Sequence, residues 1–463
     1  MSHTNGMSSW QLTMLALGTI VGGSFFLGSA IAIRTAGPAI FISYILGGIL
    51  VYIILSALSE MTVASPAPGS FRTHSEKAFG PFIGFITGWV YWTGLVLAMS
   101  SEATAAALLM RTWVPQISLA VLAISIVSAV TILNLLGAKI LSRLENGLAA
   151  IKLLALVAFI AIGVALIMGI IPGKPPVGAG VLKAEAFFPN GIGGIAGSML
   201  IVLFSYAGFE IIGLAASEAK DPHKTVPRAI ILTVIALVGL YLTVIGVLLP
   251  LISTGALTEE TSPMVAALGK GGLSVAAGAV NFILVTAILS TMLAATFGLG
   301  RMARSIADAG NAPAILIDKG EVPLRGILFS GISMFVGAAL SYVLPKSIYI
   351  FLVSSGGFAI LFTYVIILFT HYKHRAANGC PPKGNCQLSG FPYTSWIAIA
   401  GLIVVIITMP LVPGQGSGLF AGIMLVTFYS LTYAIFKALP SKLITAQPAA
   451  KPHKEKQPND KNN

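Results

Sequence analysis

Three ionisable residues lie within or at the edge of long apolar runs of this sequence: Glu102, Lys152 and Glu210. Ionisable groups at membrane depth are costly and usually functional. Two runs are also interrupted by glycine and small polar residues, at Ile20-Val21-Gly22-Gly23-Ser24 and at Ser205-Tyr206-Ala207-Gly208. A helix unwound at mid-membrane frees backbone groups that lipid cannot satisfy, so it must line a cavity in the protein. The half-helix after Ser24 would present free N–H groups and a positive dipole end, suited to a carboxylate. The half-helix before it would present carbonyls, suited to an ammonium. One break thus offers both poles of a zwitterion, which is the chemistry of amino-acid recognition. Glycine also serves close helix packing in membranes, and 50 glycines are spread over the chain, so a purely structural reading stands beside this one.

A bilayer must position these residues. Hydrophobic residues make up 56% of the chain and charged residues 9%, with a mean hydropathy of +0.92. A soluble domain is nearer about 25% charged, so lipid must cover much of this surface. The net charge of +12 would suit a nucleic-acid binder. The Lys and Arg residues sit mainly in short loops and the tail, however, as orientation in a membrane requires, and no nucleic-acid partner is expected. Apolar runs of about 20 residues, enough to cross a bilayer, fall near 11–33, 39–60, 82–110, 117–136, 149–171, 191–218, 228–252, 274–301, 326–343, 347–371, 394–413 and 416–437. With the N-terminus inside, cytoplasmic segments hold about 21 of the 27 Lys and Arg, against about six outside. Both termini, 1–10 and the lysine-rich 440–463, are therefore expected in the cytoplasm of a cell. The leader Met1–Trp10 lacks the positive region of a secretory signal, so the first span is expected to be retained.

The first and sixth runs carry the interruptions. With five spans per unit they hold equivalent positions and enter from opposite sides, so an inverted repeat of 11–171 and 191–371 is expected, followed by two further helices at 394–437. Interrupted segments at matching positions of two halves are the best sequence pointer to a transporter's binding site.

The stretch Gly18-Thr-Ile-Val-Gly-Gly-Ser-Phe-Phe-Leu-Gly28 resembles the first-helix motif of the amino acid–polyamine–organocation superfamily, in its bacterial amino-acid permease branch. Ala36-Gly-Pro38, Leu58-Ser-Glu-Met61, Pro68-Gly-Ser-Phe71, Phe79-Gly-Pro81 and Gly88-Trp-Val-Tyr-Trp92 continue the likeness, as do Ser205-Tyr-Ala-Gly-Phe-Glu210, Glu218-Ala-Lys-Asp-Pro222, Val226-Pro-Arg228 and the stretch 301–313. The resemblance implies an all-α membrane protein of about twelve helices, a five-plus-five inverted repeat with broken first and sixth helices, and alternating access. It places the substrate carboxylate on the N–H groups of Gly22, Gly23 and Ser24. The amine would lie on carbonyls near Ile20 and on those of Phe204 and Ala207. The family usually has a small hydroxyl residue and then Gly, whereas here Gly23 precedes Ser24. Phe204 aligns with an aromatic that gates the substrate in the arginine–agmatine antiporter of this superfamily.

Each buried charge has two readings. Lys152 is either a lysine snorkelling to the cytoplasmic interface or, as the resemblance implies, an ammonium standing where sodium-coupled members of the wider fold hold a sodium ion, and exchanging a proton during the cycle. Glu210 is either a proton carrier or gate latch, or a neutral acid bonded to loosened backbone. Glu102 faces the substrate amine or bonds a neighbouring helix. Phe204, Phe209 and Phe25 are the expected pocket wall, which suggests a neutral cargo. Glu60 is expected to pair with loop cations. Cys380 and Cys386 could form a redox pair or half a metal site, but nothing completes one, and two incidental thiols are expected. No metal or cofactor is expected.

Proton-driven uptake of an amino acid is the leading function, and exchange of one amino acid for another shares every residue named. No Walker-type phosphate loop occurs. A channel would need a continuous polar pore, a sensor a sizeable signalling domain, and an enzyme a paired acid and base; none is visible.

Overall fold

The computed structural model describes residues 6–65, 69–136, 138–210, 212–213, 219–318, 320, 322–343, 348–380 and 386–438, with the side chains of 138–146, 149 and 341 excepted. The tail 440–463, the first five residues, Pro68, Glu218 and the side chains of Lys139 and Arg143 lie outside that set. Among the described residues all extended regular structure is helical, and one backbone bridge joins Met7 to Ala219.

The first span is in pieces: α1 (Ser9–Ile20), α2 (Gly23–Phe26) and α3 (Gly28–Ala36). Ser8 starts α1 with a capping box, its hydroxyl accepting from the Gln11 N–H while the Gln11 side chain accepts from the Ser8 N–H. Then come α4 (Ile40–Ala64), a short α5 (Phe71–Phe79), α6 (Pro81–Met110), α7 (Leu119–Leu135), α8 (Ala138–Met168) and α9 (Gly191–Tyr206). They are followed by α10 (Pro222–Leu251), α11 (Pro263–Lys270), α12 (Ser274–Asp308), α13 (Leu324–Ala339), α14 (Ile348–Asn378), α15 (Tyr393–Thr408) and α16 (Gly416–Ala438).

Eight helices among the described residues are long and apolar enough to cross a membrane, α3 and α4 forming one continuous stretch, and α7, α9 and α13 are apolar but shorter. These elements are apolar on every side, as helices facing lipid on one side and protein on the other must be. The long α6 lies at the centre, packed on α12 and α14. Helix α3 lies against α9, α1 against α10, and α8 against α12 and α10. These contacts hold the pieces of the first span against elements on either side of the second interruption, α9 before it and α10 after it.

The helix that carries Lys152 is longer than the apolar run at 149–171: α8 begins at Ala138, 14 residues before Lys152, about 21 Å along the axis. Its membrane-length apolar part is Ala150–Met168, with Lys152 near its start. One expectation is corrected. Cys380 and Cys386 are not free thiols but a disulfide, with Cα atoms 5.3 Å apart. Beside that link, the buried Glu60 carboxylate accepts the backbone N–H groups of Gln387 (2.6 Å) and Leu388 (2.8 Å). It also meets His371 (2.7 Å) and Arg375 (3.3 Å) of α14. Glu60 therefore ties α4 to the C-terminal part of α14 and the loop after it.

Candidate functional site

Both interruptions face one cavity of about 790 Å³. Ile20, Ser24, Glu102, Phe204, Ala207 and Glu210 line its deep end. The cavity continues to Arg72, Arg301, Arg304 and Asp308, at the end of the bundle that charge counting assigns to the cytoplasm.

At the first break, α1 stops at Ile20, so the carbonyl of that residue has no following N–H of its own helix to accept. Gly22 is fully extended (φ −146°, ψ −163°), and the chain re-enters a helix at Gly23. The two N–H groups that open there are filled. Gly23 N–H donates to Glu102 Oε2 at 2.6 Å and Ser24 N–H donates to Oε1 at 2.9 Å. The carboxylate of α6 thus sits on the donors where a cargo carboxylate was expected, and it bonds a neighbouring helix, one of the two readings of Glu102. A Cβ on Gly23 would lie 2.8 Å from Glu102 Oε2, and one on Gly22 would lie 3.1 Å from it and 3.0 Å from Thr291 Oγ1. Close backbone approach is what glycine supplies here.

Behind the break, Lys152 is fully buried. Its ammonium donates to the Gly18 carbonyl, to the Val21 carbonyl (3.2 Å) and to Thr291 Oγ1 (3.2 Å). The Thr291 hydroxyl in turn donates to the Val21 carbonyl at 3.1 Å. An ammonium has three donors, and these three acceptors match them. This burial leaves no room for the snorkelling reading, because the side chain points into the bundle against the first break.

At the second break, α9 ends at Tyr206, Ala207 turns away (ψ 148°), and Gly208 adopts φ +106°, a conformation L side chains rarely take. The Ala207 N–H bonds back to the Phe204 carbonyl at 3.1 Å. Glu210 is buried among donors: Tyr91 O–H at 2.8 Å, Tyr364 O–H at 3.3 Å and the Gly208 N–H at 3.1 Å. It therefore fastens the unwound backbone to α6 and α14. Tyr241 O–H holds the Ser205 carbonyl (3.0 Å) and Tyr206 O–H holds the Tyr44 carbonyl (3.0 Å).

Of the three expected wall phenylalanines, only Phe204 lines the cavity. Phe25 is turned outward by α2 and stacks on Tyr241, ring centroids 3.9 Å apart, with Tyr44 edge-on. Phe209 packs against Tyr364. Gly22, Gly23 and Lys152 stand behind the wall. Thr291 and Tyr364 went unnoticed in the sequence and Tyr91, inside the Gly88–Trp92 motif, was given no role, because threonine and tyrosine are ordinary residues of apolar helices until folding brings them to a carboxylate or an ammonium.

Comparison with known proteins agrees with this architecture. The family described as "Amino acid permease" matches residues 11–439. The chain is 32% identical to the gamma-aminobutyric acid permease of Escherichia coli K12 over 423 residues, 89% of each chain. It is 30% identical to the aromatic amino acid transport protein AroP of the same strain, over 95% of this chain and 97% of that one. It is 32% identical to the uncharacterized amino acid permease YtnA of Bacillus subtilis 168, over 92% and 94%. With two broken helices meeting at one cavity and a family match along nearly its whole length, the chain belongs to the amino acid permease family of multi-span membrane transporters.

Proposed function

We propose that this chain imports a neutral amino acid across the cytoplasmic membrane by proton symport and alternating access. The frame we propose is the inverted repeat of 11–171 and 191–371 with 394–437 added and both termini inside. One observation carries the reading: Glu102 rests on the N–H groups of Gly23 and Ser24 inside the cavity that both breaks reach. A carboxylate of the chain there marks where a carboxylate of the cargo would bind.

Ionised Glu102 holds that position when cargo is absent. A protonated carboxyl is a poorer acceptor for two N–H groups, so proton uptake loosens it. The cargo carboxylate then takes the two donors, and its amine takes the carbonyls of Ile20, Phe204 and Ala207. When proton and cargo leave, Glu102 returns to the break. Proton and cargo are thereby bound together and released together. Lys152 supplies a fixed positive charge and keeps the Gly18 and Val21 carbonyls satisfied, so the break persists through the cycle. Glu210, held by Tyr91 and Tyr364, is a second proton site or the latch of the sixth helix. One charge moving down 100 mV yields about 2.3 kcal/mol, nearly enough for a fifty-fold gradient at about 1.4 kcal/mol per tenfold.

The deep wall holds few fixed charges besides Glu102 and Glu210, both already hydrogen-bonded, which favours an uncharged side chain. γ-Aminobutyrate and the aromatic amino acids, named for two of the relatives, each carry one carboxylate and one amine and no further charge.

The test is uptake by purified protein in liposomes, across a panel of radiolabelled amino acids, with an inward proton gradient on or off. Accumulation that collapses with a protonophore is the expected result. Flux only from preloaded liposomes would replace symport by exchange, and no flux of any amino acid would overturn the cargo class.

A further inference from the structure

The cavity reaches well beyond the two breaks. A volume of about 790 Å³ lies high in the range of roughly 300–1,000 Å³ that encloses a drug-sized ligand, more than a single small amino acid fills. Its charges are segregated. The deep end holds Glu102 and Glu210, whereas the mouth holds three guanidinium groups, Arg72, Arg301 and Arg304, against one carboxylate, Asp308.

These guanidiniums are unequally engaged. Arg304 is committed: its Nη1 donates to the Gly320 carbonyl at 2.6 Å and its Nε lies 3.6 Å from Asp308. Arg301 forms no ion pair among the described residues and stands over the Phe297 ring at 5.7 Å. Arg72 is only 4% exposed. It gives Nη1 to Glu76 at 2.8 Å and a long contact from Nη2 to Thr73 Oγ1 at 3.4 Å. Among the described residues its Nε is buried and has no hydrogen-bond partner. A buried N–H on a cation without an acceptor is expensive, and native proteins seldom leave one unanswered.

The neighbours of that N–H form a niche. A Cβ on Gly69 would collide with Ser305 Oγ and stand 3.2 Å from Arg72 Nε, so the loop before α5 and the end of α12 meet at this atom. Arg301 lies one turn from Ser305 on the same face of α12. The Ser70 hydroxyl, also buried and without a partner among the described residues, is beside Gly213, which lines the cavity. An Nε–H and an Nη–H of one guanidinium form a planar fork that fits a carboxylate with two parallel bonds.

We infer that the cavity mouth carries a second carboxylate subsite, built on Arg72 and supported by Arg301, which holds the cargo's carboxylate between its release from the first break and its escape. The subsite rests on the reading of the cargo as an amino acid. It places two anion stations along one path: the N–H groups of Gly23 and Ser24 at depth, which Glu102 reclaims, and the Arg72 fork at the mouth. With Glu102 resealing the first station, a cargo at the second cannot slip back, so the two stations make release directional within the inward-facing state.

The experiment uses the full chain in detergent and trifluoroacetate, a carboxylate without an amine, followed by ¹⁹F line broadening. Wild type is expected to show saturable broadening, weakened at least tenfold in Arg72→Gln and several-fold in Arg301→Gln. Gly22→Leu, which disables the deep station, should leave it in place, and L-phenylalanine or γ-aminobutyrate should displace the probe in that variant. Arg301 is exposed, so Arg301→Gln decides the matter alone if Arg72→Gln fails to fold. Binding unchanged in both arginine variants, or lost in Gly22→Leu, would overturn the subsite while leaving the deep station standing. Displacement by phosphate but by no amino acid would also overturn it. Failure of the amino-acid reading itself appears elsewhere, as absence of uptake of every amino acid tested.

Discussion

Glu102→Gln separates two roles for this residue by the sign of its effect. In the structure the carboxylate accepts from Gly23 N–H at 2.6 Å and from Ser24 N–H at 2.9 Å. A glutamine has one acceptor oxygen, and its NH₂ group would face the remaining N–H donor. At least one charge-assisted hydrogen bond is lost, each contributing about 1.5–3 kcal/mol. Self-occupancy of the break should therefore weaken roughly 10- to 150-fold at about 1.4 kcal/mol per tenfold. A cargo that must displace residue 102 then binds at least about tenfold more tightly. The pH profile should change as well. In wild type, a proton on Glu102 loosens its hold, so cargo affinity rises as pH falls; in Glu102→Gln it should be high and flat. The assay is equilibrium binding of a radiolabelled amino acid to purified protein between pH 5.5 and 7.5, with a melting curve to verify folding. Weaker binding at every pH in a folded variant would refute the reasoning and return Glu102 to the role of amine contact.

Gly22→Leu should abolish cargo binding while leaving the chain in the membrane, since even a Cβ there stands 3.0 Å from Thr291 Oγ1 and 3.1 Å from Glu102 Oε2; unchanged uptake would remove the site assignment. Lys152→Met keeps the packing of the stem but deprives the Gly18 carbonyl of its ammonium donor. A buried unsatisfied acceptor costs about 1–3 kcal/mol, so cargo affinity should fall between about 5- and 150-fold with a flattened pH profile, and an effect under twofold would make this a passive lysine. Burial, then the charges of Lys77 and His374, pushes the His74 imidazole down to about 4 from 6.5. Between these values the unfolded chain binds a proton that the folded chain does not, so stability is full above pH 6.5 and declines as pH falls toward 4. Melting temperature in detergent should drop over that window in wild type and less in His74→Phe.

Much of the fold was legible in order and composition. Runs of about 20 apolar residues announce helices in lipid whatever their partners, because every backbone polar group in a bilayer must bond within its own segment. The breaks were legible too, because Gly22-Gly23 and Ala207-Gly208 interrupt the first and sixth runs at matching positions, although close helix packing also uses glycine. Helix limits were less so. The polar first turns of α8 were lost to hydropathy, which starts the element near 149 where the helix starts at Ala138, and the complete burial of Lys152 could not be read from the run that contains it.

Composition and spacing by themselves pointed to a membrane protein, to interruptions in its first and sixth spans, and to free N–H groups suited to a carboxylate at the first interruption. They also singled out Glu102, Lys152 and Glu210 as charges within or at the edge of apolar runs, each with a functional and a structural reading. Only the tertiary structure decided whose carboxylate fills the break. Glu102 and Gly23 are 79 residues apart, and whether a side chain on α6 turns toward an amine or an N–H pair depends on how α6 lies between α2 and α12. The same holds for the ammonium of Lys152, which meets Gly18 134 residues away, and for Phe25, which a four-residue turn of helix directs away from the cavity. Periodicity reports which face of a helix is apolar; which polar atom meets which is set by packing among helices remote in sequence, and one chain read in order carries no record of it.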